Sequence, residues 1–369
     1  MCDGPLSGCA QPSFMVAFAR VFPSLSYRDY QLLWQGNLGT FLALGMQQAA
    51  EGWLIYELTR SPLYLSLASI CRSVPIMLFA PLGGVLADRL SRRQVMIWTQ
   101  LIWLATALAV AALIVTERLQ AWHLLAMAAL MGALFSVNVP ARQAFTASLV
   151  PRRHVTDAFA IHATSMGVMR ILGPQAAGLL LDAAGAATCY VIQTLGYLWA
   201  ILSHLRIRMP AAEPLKRSDG IWKNVIGGVR YALADANLRG LLALMFLFTV
   251  FLYPYTMFLP AFAKDILNLG APGLGLMMAA GGAGALLGSL ATGAAAGYRR
   301  KGLLMIGASL AMGLLVLVFA QSRWVWLSLL ALVGAGAAAG VLQVLTMAIM
   351  QTLVPDEYRG RMGALDMLI

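Results

Sequence analysis

The feature that most constrains this chain is a series of long apolar stretches that recurs from one end to the other. A helix of about 20 apolar residues spans the hydrocarbon core of a bilayer. Only 11% of the residues are charged, whereas soluble domains carry about a quarter. The sequence therefore predicts an all-α polytopic membrane protein with ten spans, near residues 33–57, 63–87, 94–116, 121–141, 157–181, 185–207, 240–263, 272–297, 302–320 and 324–353.

Basic residues are distributed unevenly between the two sides of the predicted membrane. The loops on one side hold only Arg60, Arg118, Lys264 and Arg323. Two more arginines fall within spans, and the rest lie in the N-terminal tail and the loops of the other side. Because cytoplasmic loops are rich in Lys and Arg, we expect a cytoplasmic N-terminus. The net charge of +11 then points to membrane lipid as a partner and not to nucleic acid.

The residue types that carry catalysis or bind metals form no recognisable pattern. Cys2, Cys9, Cys71 and Cys189 have neither disulfide nor metal-ligand spacing, and the histidines are scattered. Nucleophilic triads, phosphate loops and zinc motifs are absent from the sequence. We therefore expect no catalytic residues, no metal and no cofactor.

Polar residues follow one face of the first predicted helix at steps of three and four. They are Asn37, Thr40, Gln47, Gln48 and Glu51. Because lipid cannot satisfy such groups, we expect this face to lie in the bundle interior or along a substrate cavity.

Glu51 is the only carboxylate well inside a predicted span, and embedded acids typically mark a substrate or proton pathway. The turn between the first two spans falls near residues 60–61. Glu51 lies about nine residues before it and Arg72 about eleven after it, so at a rise of about 1.5 Å per residue the two side chains lie at nearly the same depth in the membrane. We expect an ion pair, which would keep Glu51 charged against the desolvation that favours its neutral form. A proton-coupling role and a purely structural pair both stay open.

The turn between the second and third spans reads Gly84-Val85-Leu86-Ala87-Asp88-Arg89-Leu90-Ser91-Arg92-Arg93. It resembles the signature loop of the major facilitator superfamily, which usually has Gly where Ser91 stands. The resemblance implies two pseudo-symmetric six-helix halves around a central cavity, with a conformational switch formed by Gly84, Asp88, Arg89, Arg92 and Arg93. A generic basic turn is the alternative, and it would account for the arginines but not for Gly84 and Asp88.

The resemblance also implies a contact for Asp88, and two polar residues inside the fourth and fifth spans are candidates for the cavity on their own account. Asp88 would bind the start of an eleventh helix, near Arg361–Gly363, in the outward-facing state. Asn138 would line the cavity or make an interhelical hydrogen bond, and Arg170 would also lie at the cavity. Three residues loosely resemble the helix 5 motif of drug–proton antiporters, namely Gly173, Pro174 and Gly178.

Further strings resemble one branch of the superfamily, that of the macrolide and enterobactin exporters. They are Tyr27-Arg28-Asp29-Tyr30, Trp53-Leu54-Ile55-Tyr56-Glu57-Leu58-Thr59, Pro140-Ala141-Arg142-Gln143-Ala144 and Arg359-Gly360-Arg361. This resemblance implies a monomer that couples protons to the export of a small amphipathic molecule, a drug or a siderophore, across the bacterial inner membrane. The alternatives are uptake of lysophospholipid or another small molecule by a related carrier, and a truncated membrane protein that does not transport.

The resemblance divides the chain into four segments. Residues 1–30 form a cytoplasmic tail, 31–207 a six-helix bundle, 208–238 a cytoplasmic linker with an amphipathic helix, and 239–369 an incomplete second bundle. The chain stops at Ile369, within the first turns of the implied eleventh helix, so we expect a truncated C-terminus.

Overall fold

The computed structural model describes residues 23–89, 91–208, 235–294 and 301–353, which form ten long helices and no strand. The predicted all-α fold and number of long helices are thus confirmed. The helices are α1 (Arg28–Thr59), α2 (Pro62–Arg89), α3 (Arg92–Val115), α4 (Ala121–Ser148), α5 (Val155–Ala183), α6 (Gly185–Leu205), α7 (Ala236–Leu247), α8 (Gly270–Ala294), α9 (Lys301–Gln321) and α10 (Val325–Leu353).

The seventh span changes its helical form along its length. Beyond α7, π-helical turns at Phe248–Leu252 and Phe262–Ile266 flank a 3₁₀ stretch, Tyr253–Phe258, and a short α-turn, Leu259–Ala261. Proline at positions 254 and 260 removes backbone donors from a regular α-helix, which accounts for part of this irregularity.

Eight of the described spans are apolar enough to cross a membrane by composition. The other two, α1 and α5, are long enough, at 32 and 29 residues, but are more polar. In α1 the difference comes from the polar face described above, and in α5 from residues such as Asp157, His162 and Arg170.

Consecutive spans alternate in direction, which gives the bundle two faces. We call the side with the start of α1 and the α2–α3 and α4–α5 turns the N-terminal face, and the other side the opposite face. Contacts on the N-terminal face agree with this arrangement, because the Tyr30 hydroxyl donates to the Ala158 carbonyl at 2.8 Å. Similarly, Arg93 Nε donates to the His204 carbonyl at 2.9 Å.

The helices pack in two groups that meet along α5 and α8. In the first group α1 packs on α5 and α6, α2 on α4, and α3 on α6; in the second, α8 and α9 pack on α10. The seam between the groups is very close, because a Cβ at Gly178 would lie 2.6 Å from the Ala271 carbonyl oxygen. On the other side of α5, a Cβ at Gly173 would lie 2.8 Å from the Cα of Gly45.

The helix 5 motif therefore lies where α5 contacts both α1 and α8. The four-segment division of the chain stays a prediction. Most of its linker (209–234) and its extreme ends (1–22 and 354–369) lie outside the described residues.

Candidate functional site

A cavity of about 600 Å³ lies between the two groups of helices. Its wall is mostly apolar, with methionine, leucine and phenylalanine the commonest apolar side chains, and every described span except α6 contributes to it. The polar and charged side chains on the wall are Gln47, Gln48, Arg72, Arg142, Arg170, Thr249, Gln343 and Thr346. A volume of this size suits a drug-sized ligand, and a mostly apolar wall with a few polar groups is typical of small-molecule sites.

The cavity extends from the middle of the bundle toward the N-terminal face. Arg142, Met305 and Thr346 on its wall lie toward the N-terminal-face ends of α4, α9 and α10. Toward the opposite face the cavity ends, because there the first group of helices is in contact with the seventh span.

Charged and aromatic side chains make this contact at the opposite face. Lys264 Nζ lies 3.2 Å from Glu57 Oε1 and 5.0 Å from the ring centroid of Trp53. The Tyr56 hydroxyl donates to the Asp265 carboxylate. Trp53 also belongs to an apolar cluster that includes Leu259, so this end of the bundle is closed by both polar and apolar contacts.

Glu51 and Arg72 form an ion pair in the middle of the bundle. Arg72 Nη2 lies 2.6 Å from Glu51 Oε2, as expected from their depths. On α1, one turn before Glu51, the Gln47 side chain accepts a hydrogen bond of 2.9 Å from the Tyr197 hydroxyl of α6. The acid itself is held by the guanidinium of α2.

This pair lies at the boundary between the central cavity and a second one. The second cavity, of about 290 Å³, includes Glu51, Thr256 and Met278 in its wall. Arg72 and Gln48 line both cavities, whereas Glu51 lines only the second. Because the second cavity also contacts the seventh span at residues 256–260, it lies on the side of the pair that faces the opposite face.

The structure corrects the expected lining of the substrate cavity. Gln47, Gln48 and Arg170 lie on its wall, but Asn37, Thr40 and Asn138 do not. These three are buried between helices of the first group. Thr40 and the Asn138 amide nitrogen hydrogen-bond to a neighbouring helix instead, whereas the Oδ1 atoms of Asn37 and Asn138 have no partner among the described residues.

Three hydrogen bonds cross the helix interfaces at Thr40 and Asn138. Thr40 Oγ1 accepts from Gln100 Nε2 at 3.1 Å, and Gln100 Oε1 lies 3.2 Å from His204 Nδ1. Asn138 Nδ2 donates to Thr99 Oγ1 at 2.7 Å, which is the interhelical alternative. The polar face of α1 thus divides, with its N-terminal half facing α3 and α6 and its later residues facing the cavities.

In the signature loop, the structure describes the side chains that follow the turn. Ser91 caps α3 by accepting from the Gln94 amide at 3.3 Å, which suits a serine where the family usually has glycine. Arg92 donates to the Ala144 carbonyl at 3.0 Å, and Arg93 to the carbonyls of His204 and Leu205. Both arginines thus bind carbonyls near helix C-termini, where positive charge is favoured. The side chains of Asp88 and Arg89 and the surroundings of Gly84 lie outside the described part, so the switch stays a prediction.

Sequence reasoning missed the position of Arg142. The predicted fourth span ended at residue 141, which left Arg142 in a loop, whereas α4 continues through Pro140 to Ser148. Proline is tolerated inside membrane helices. Arg142 is only 4% exposed, its guanidinium carbon lies 4.8 Å from the Phe41 ring centroid, and its Nη1 has no hydrogen-bond partner among the described residues. The signal that identifies it is the absence of Gly and Pro between Pro140 and Pro151, so nothing in the sequence ends the helix before Ser148.

Comparison with curated proteins finds relatives that are named as efflux or export proteins. The chain is 24% identical to macrolide efflux protein A of Streptococcus pyogenes over 296 residues, which cover 78% of this chain and 73% of that protein. It is 29% identical to the enterobactin exporter EntS of Shigella flexneri over 338 residues, covering 88% and 77%.

Two solved structures share the fold. A point mutant of the nucleoside transporter NupG superposes with a TM-score of 0.71 at 14% identity, covering 92% of this chain and 87% of that one. A bacterial homologue of the iron transporter ferroportin in an inward-facing state gives 0.63 at 16% identity, covering 92% and 88%. Residues 19–369 match the transmembrane secretion effector family. The chain therefore belongs to this family of the major facilitator superfamily, and it is a membrane transporter and not an enzyme.

Proposed function

We propose that this transporter exports a small amphipathic molecule, a drug or a siderophore, from the cytoplasm across the bacterial inner membrane in exchange for protons. The names of its relatives, a macrolide efflux protein and an enterobactin exporter, support the direction and the substrate class. The N-terminal face is then the cytoplasmic one, as the basic loops indicate. The cavity that extends toward this face would receive substrate from the cytoplasm or the inner leaflet.

The observation that carries the coupling is the position of the Glu51–Arg72 pair between the two cavities. A proton that enters from the periplasm through the second cavity would reach the Glu51 carboxylate first. Neutral Glu51 no longer attracts Arg72, so the guanidinium is free to move within the substrate cavity. For the proton to leave toward the cytoplasm, it must pass from Glu51 to the central cavity between Gln48 and Arg72, which line both cavities, and the pair forms again once it has left.

Closure at the opposite face fits the inward-facing stage of such a cycle. The contacts of Lys264 with Glu57 and Trp53 join the two groups of helices there. Export requires these contacts to break, since the cavity must open to the periplasm. We expect the protein to work as a monomer, with one cavity in each chain.

Transport into inverted membrane vesicles tests this function. When the vesicle interior is acidified, so that protons flow outward, vesicles that contain the protein should accumulate radiolabelled erythromycin or enterobactin in exchange, and nigericin should abolish the accumulation. Movement of a lysophospholipid in the reverse direction would instead identify an uptake carrier. A folded protein that moves none of these probes in either direction would contradict transport of this kind.

A further inference from the structure

The central cavity carries positive charge that the described residues do not neutralise. Of its three arginines, Arg72 is paired with Glu51, but Arg142 and Arg170 form no salt bridge with any described residue. No carboxylate is found among the described residues that line the cavity. A buried charge without a partner is costly, and proteins usually pair or hydrogen-bond such groups.

Arg142 is the most confined of these charges. Its side chain lies on the cavity wall, is 4% exposed, and leaves Nη1 without a hydrogen bond to any described group. The neighbours that fix it are aromatic. The guanidinium lies over the Phe41 ring, and His162 packs against that ring edge-on with centroids 5.2 Å apart.

We propose that Arg142 is the anion-binding group of the cavity and that the substrate is an amphipathic anion. A carboxylate, sulfonate or phosphate would accept hydrogen bonds from Arg142, whose planar fork suits such groups. The apolar body of the ligand would occupy the methionine- and leucine-lined space toward α7 and α10, and exposed Arg170 would add long-range attraction. This inference deepens the proposed function, because it assigns the charge class of the exported molecule.

The anion has two sources that the geometry does not distinguish, a free small molecule and the headgroup of an anionic lipid. Both present the same acceptor oxygens beside an apolar body. The cavity extends toward the face where the proposed function places the cytoplasmic leaflet, so either one reaches Arg142 by the same route. The experiment therefore begins in zwitterionic lipid and adds anionic lipid as a competitor.

Equilibrium binding of three shape-matched probes to the purified protein tests the proposal. In phosphatidylcholine nanodiscs, radiolabelled 2-naphthoate should bind at least about tenfold more tightly than 2-naphthylmethylamine or 2-naphthalenemethanol, since hydrogen bonds to charged groups contribute about 1.5–3 kcal/mol. Arg142→Gln should weaken naphthoate binding by about 10- to 100-fold and leave binding of the neutral alcohol unchanged. Arg142→Lys should recover only part of the loss, because lysine lacks the planar fork. Arg153→Gln, at an exposed arginine outside the cavity, is the matched control and should bind like the unaltered protein.

The outcomes separate this inference from the proposed function. Competition by added phosphatidylglycerol would identify a lipid headgroup as an occupant, and its absence would favour a free anion; each supports the anion site. Equal binding of the three probes, binding of none, or full naphthoate affinity in Arg142→Gln would overturn it. Proton-driven transport of the amine probe without any of the anion would leave the carrier function standing and the anion inference refuted. Anion binding that depends on Arg142, in vesicles that never accumulate a probe, would support the anion site and refute the carrier function.

Discussion

Arg72 and Glu51 are in contact through Nη2 and Oε2 but differ in burial, with 33% of the arginine side chain exposed and 5% of the acid. Arg72 lines the central cavity and Glu51 does not. The arginine therefore has access to cavity water if it loses its partner, whereas the acid has none on that side. The two halves of this ion pair should not respond equally to mutation.

Neutralising Glu51 should affect coupling more than folding. Glu51→Gln resembles the protonated acid, so we expect normal expression, loss of proton-driven transport and survival of downhill substrate exchange. Breaking a fully buried pair costs about 3–5 kcal/mol, and the partial exposure of Arg72 should keep the cost below this. Vesicle uptake with and without a proton gradient, together with thermal unfolding of the purified variant, measures both effects.

Neutralising Arg72 should be the more damaging change for the fold. Arg72→Gln leaves a charged carboxylate among buried groups, which should lower stability more than Glu51→Gln does. The double variant, with glutamine at both positions, should regain stability. If it also regains full proton coupling, Glu51 is not the proton carrier and the pair is structural.

The contacts of Lys264 should hold the opposite face closed. Lys264→Ala removes the ion pair to Glu57, worth about 0.2–1 kcal/mol, and the contact over Trp53, worth about 0.5–1 kcal/mol. We therefore expect several-fold faster labelling of a cysteine at position 278, in the second cavity, by an impermeant maleimide added from the periplasm. The four native cysteines are first replaced by alanine.

Arg323 supplies the control for this experiment, because it is an exposed basic residue of the same face that makes no described ion pair. Arg323→Ala should leave the labelling rate unchanged. Equal rates in the two variants would show that the Lys264 contacts do not hold the gate.

Glycines between α8 and α10 should be intolerant of any side chain. A Cβ at Gly340 would lie 2.1 Å from the Ala285 carbonyl oxygen, whereas a Cβ at Gly307 would meet no atom within 4 Å. Gly340→Ala should force the helices apart and destabilise the protein by about 1–3 kcal/mol. Gly307→Ala should be neutral or stabilising by up to about 1 kcal/mol, because alanine favours the helix. Thermal unfolding in one detergent compares the two variants, and equal melting temperatures would contradict the close packing.

Asp88 is the predicted switch, on the strength of the family resemblance alone. Asp88→Asn should shift the population toward the inward-facing state with expression intact, since the amide lacks the charge that would bind the start of an eleventh helix. Accessibility of a cavity cysteine from the periplasm should fall. Unchanged accessibility would remove Asp88 from the switch.

The sequence was sufficient to predict the fold, because the length of an apolar segment indicates a membrane-spanning helix almost independently of tertiary packing. It also predicted the depth match of Glu51 and Arg72, since helical rise alone sets depth. It was not sufficient for the cavity lining, because Asn37, Thr40 and Asn138 are buried against neighbouring helices, and no periodicity specifies how those helices are rotated. Arg142 was missed for a related reason, because Pro140 suggested a helix end that neighbouring helices override.

The last prediction concerns the stability of the protein when the cavity is empty. If Arg142 binds an anion, its buried and unpaired charge lowers the unfolding free energy of the ligand-free protein. Arg142→Gln removes this charge and should raise the unfolding free energy by about 1 kcal/mol or more, seen as a higher melting temperature. Arg153→Gln should not change it, because that charge is already solvated. Added 2-naphthoate should stabilise the unaltered protein but not Arg142→Gln, since only a ligand that binds the folded state shifts unfolding. A lower melting temperature for Arg142→Gln would instead mean that the guanidinium already has a protein partner, and the arginine would then be structural.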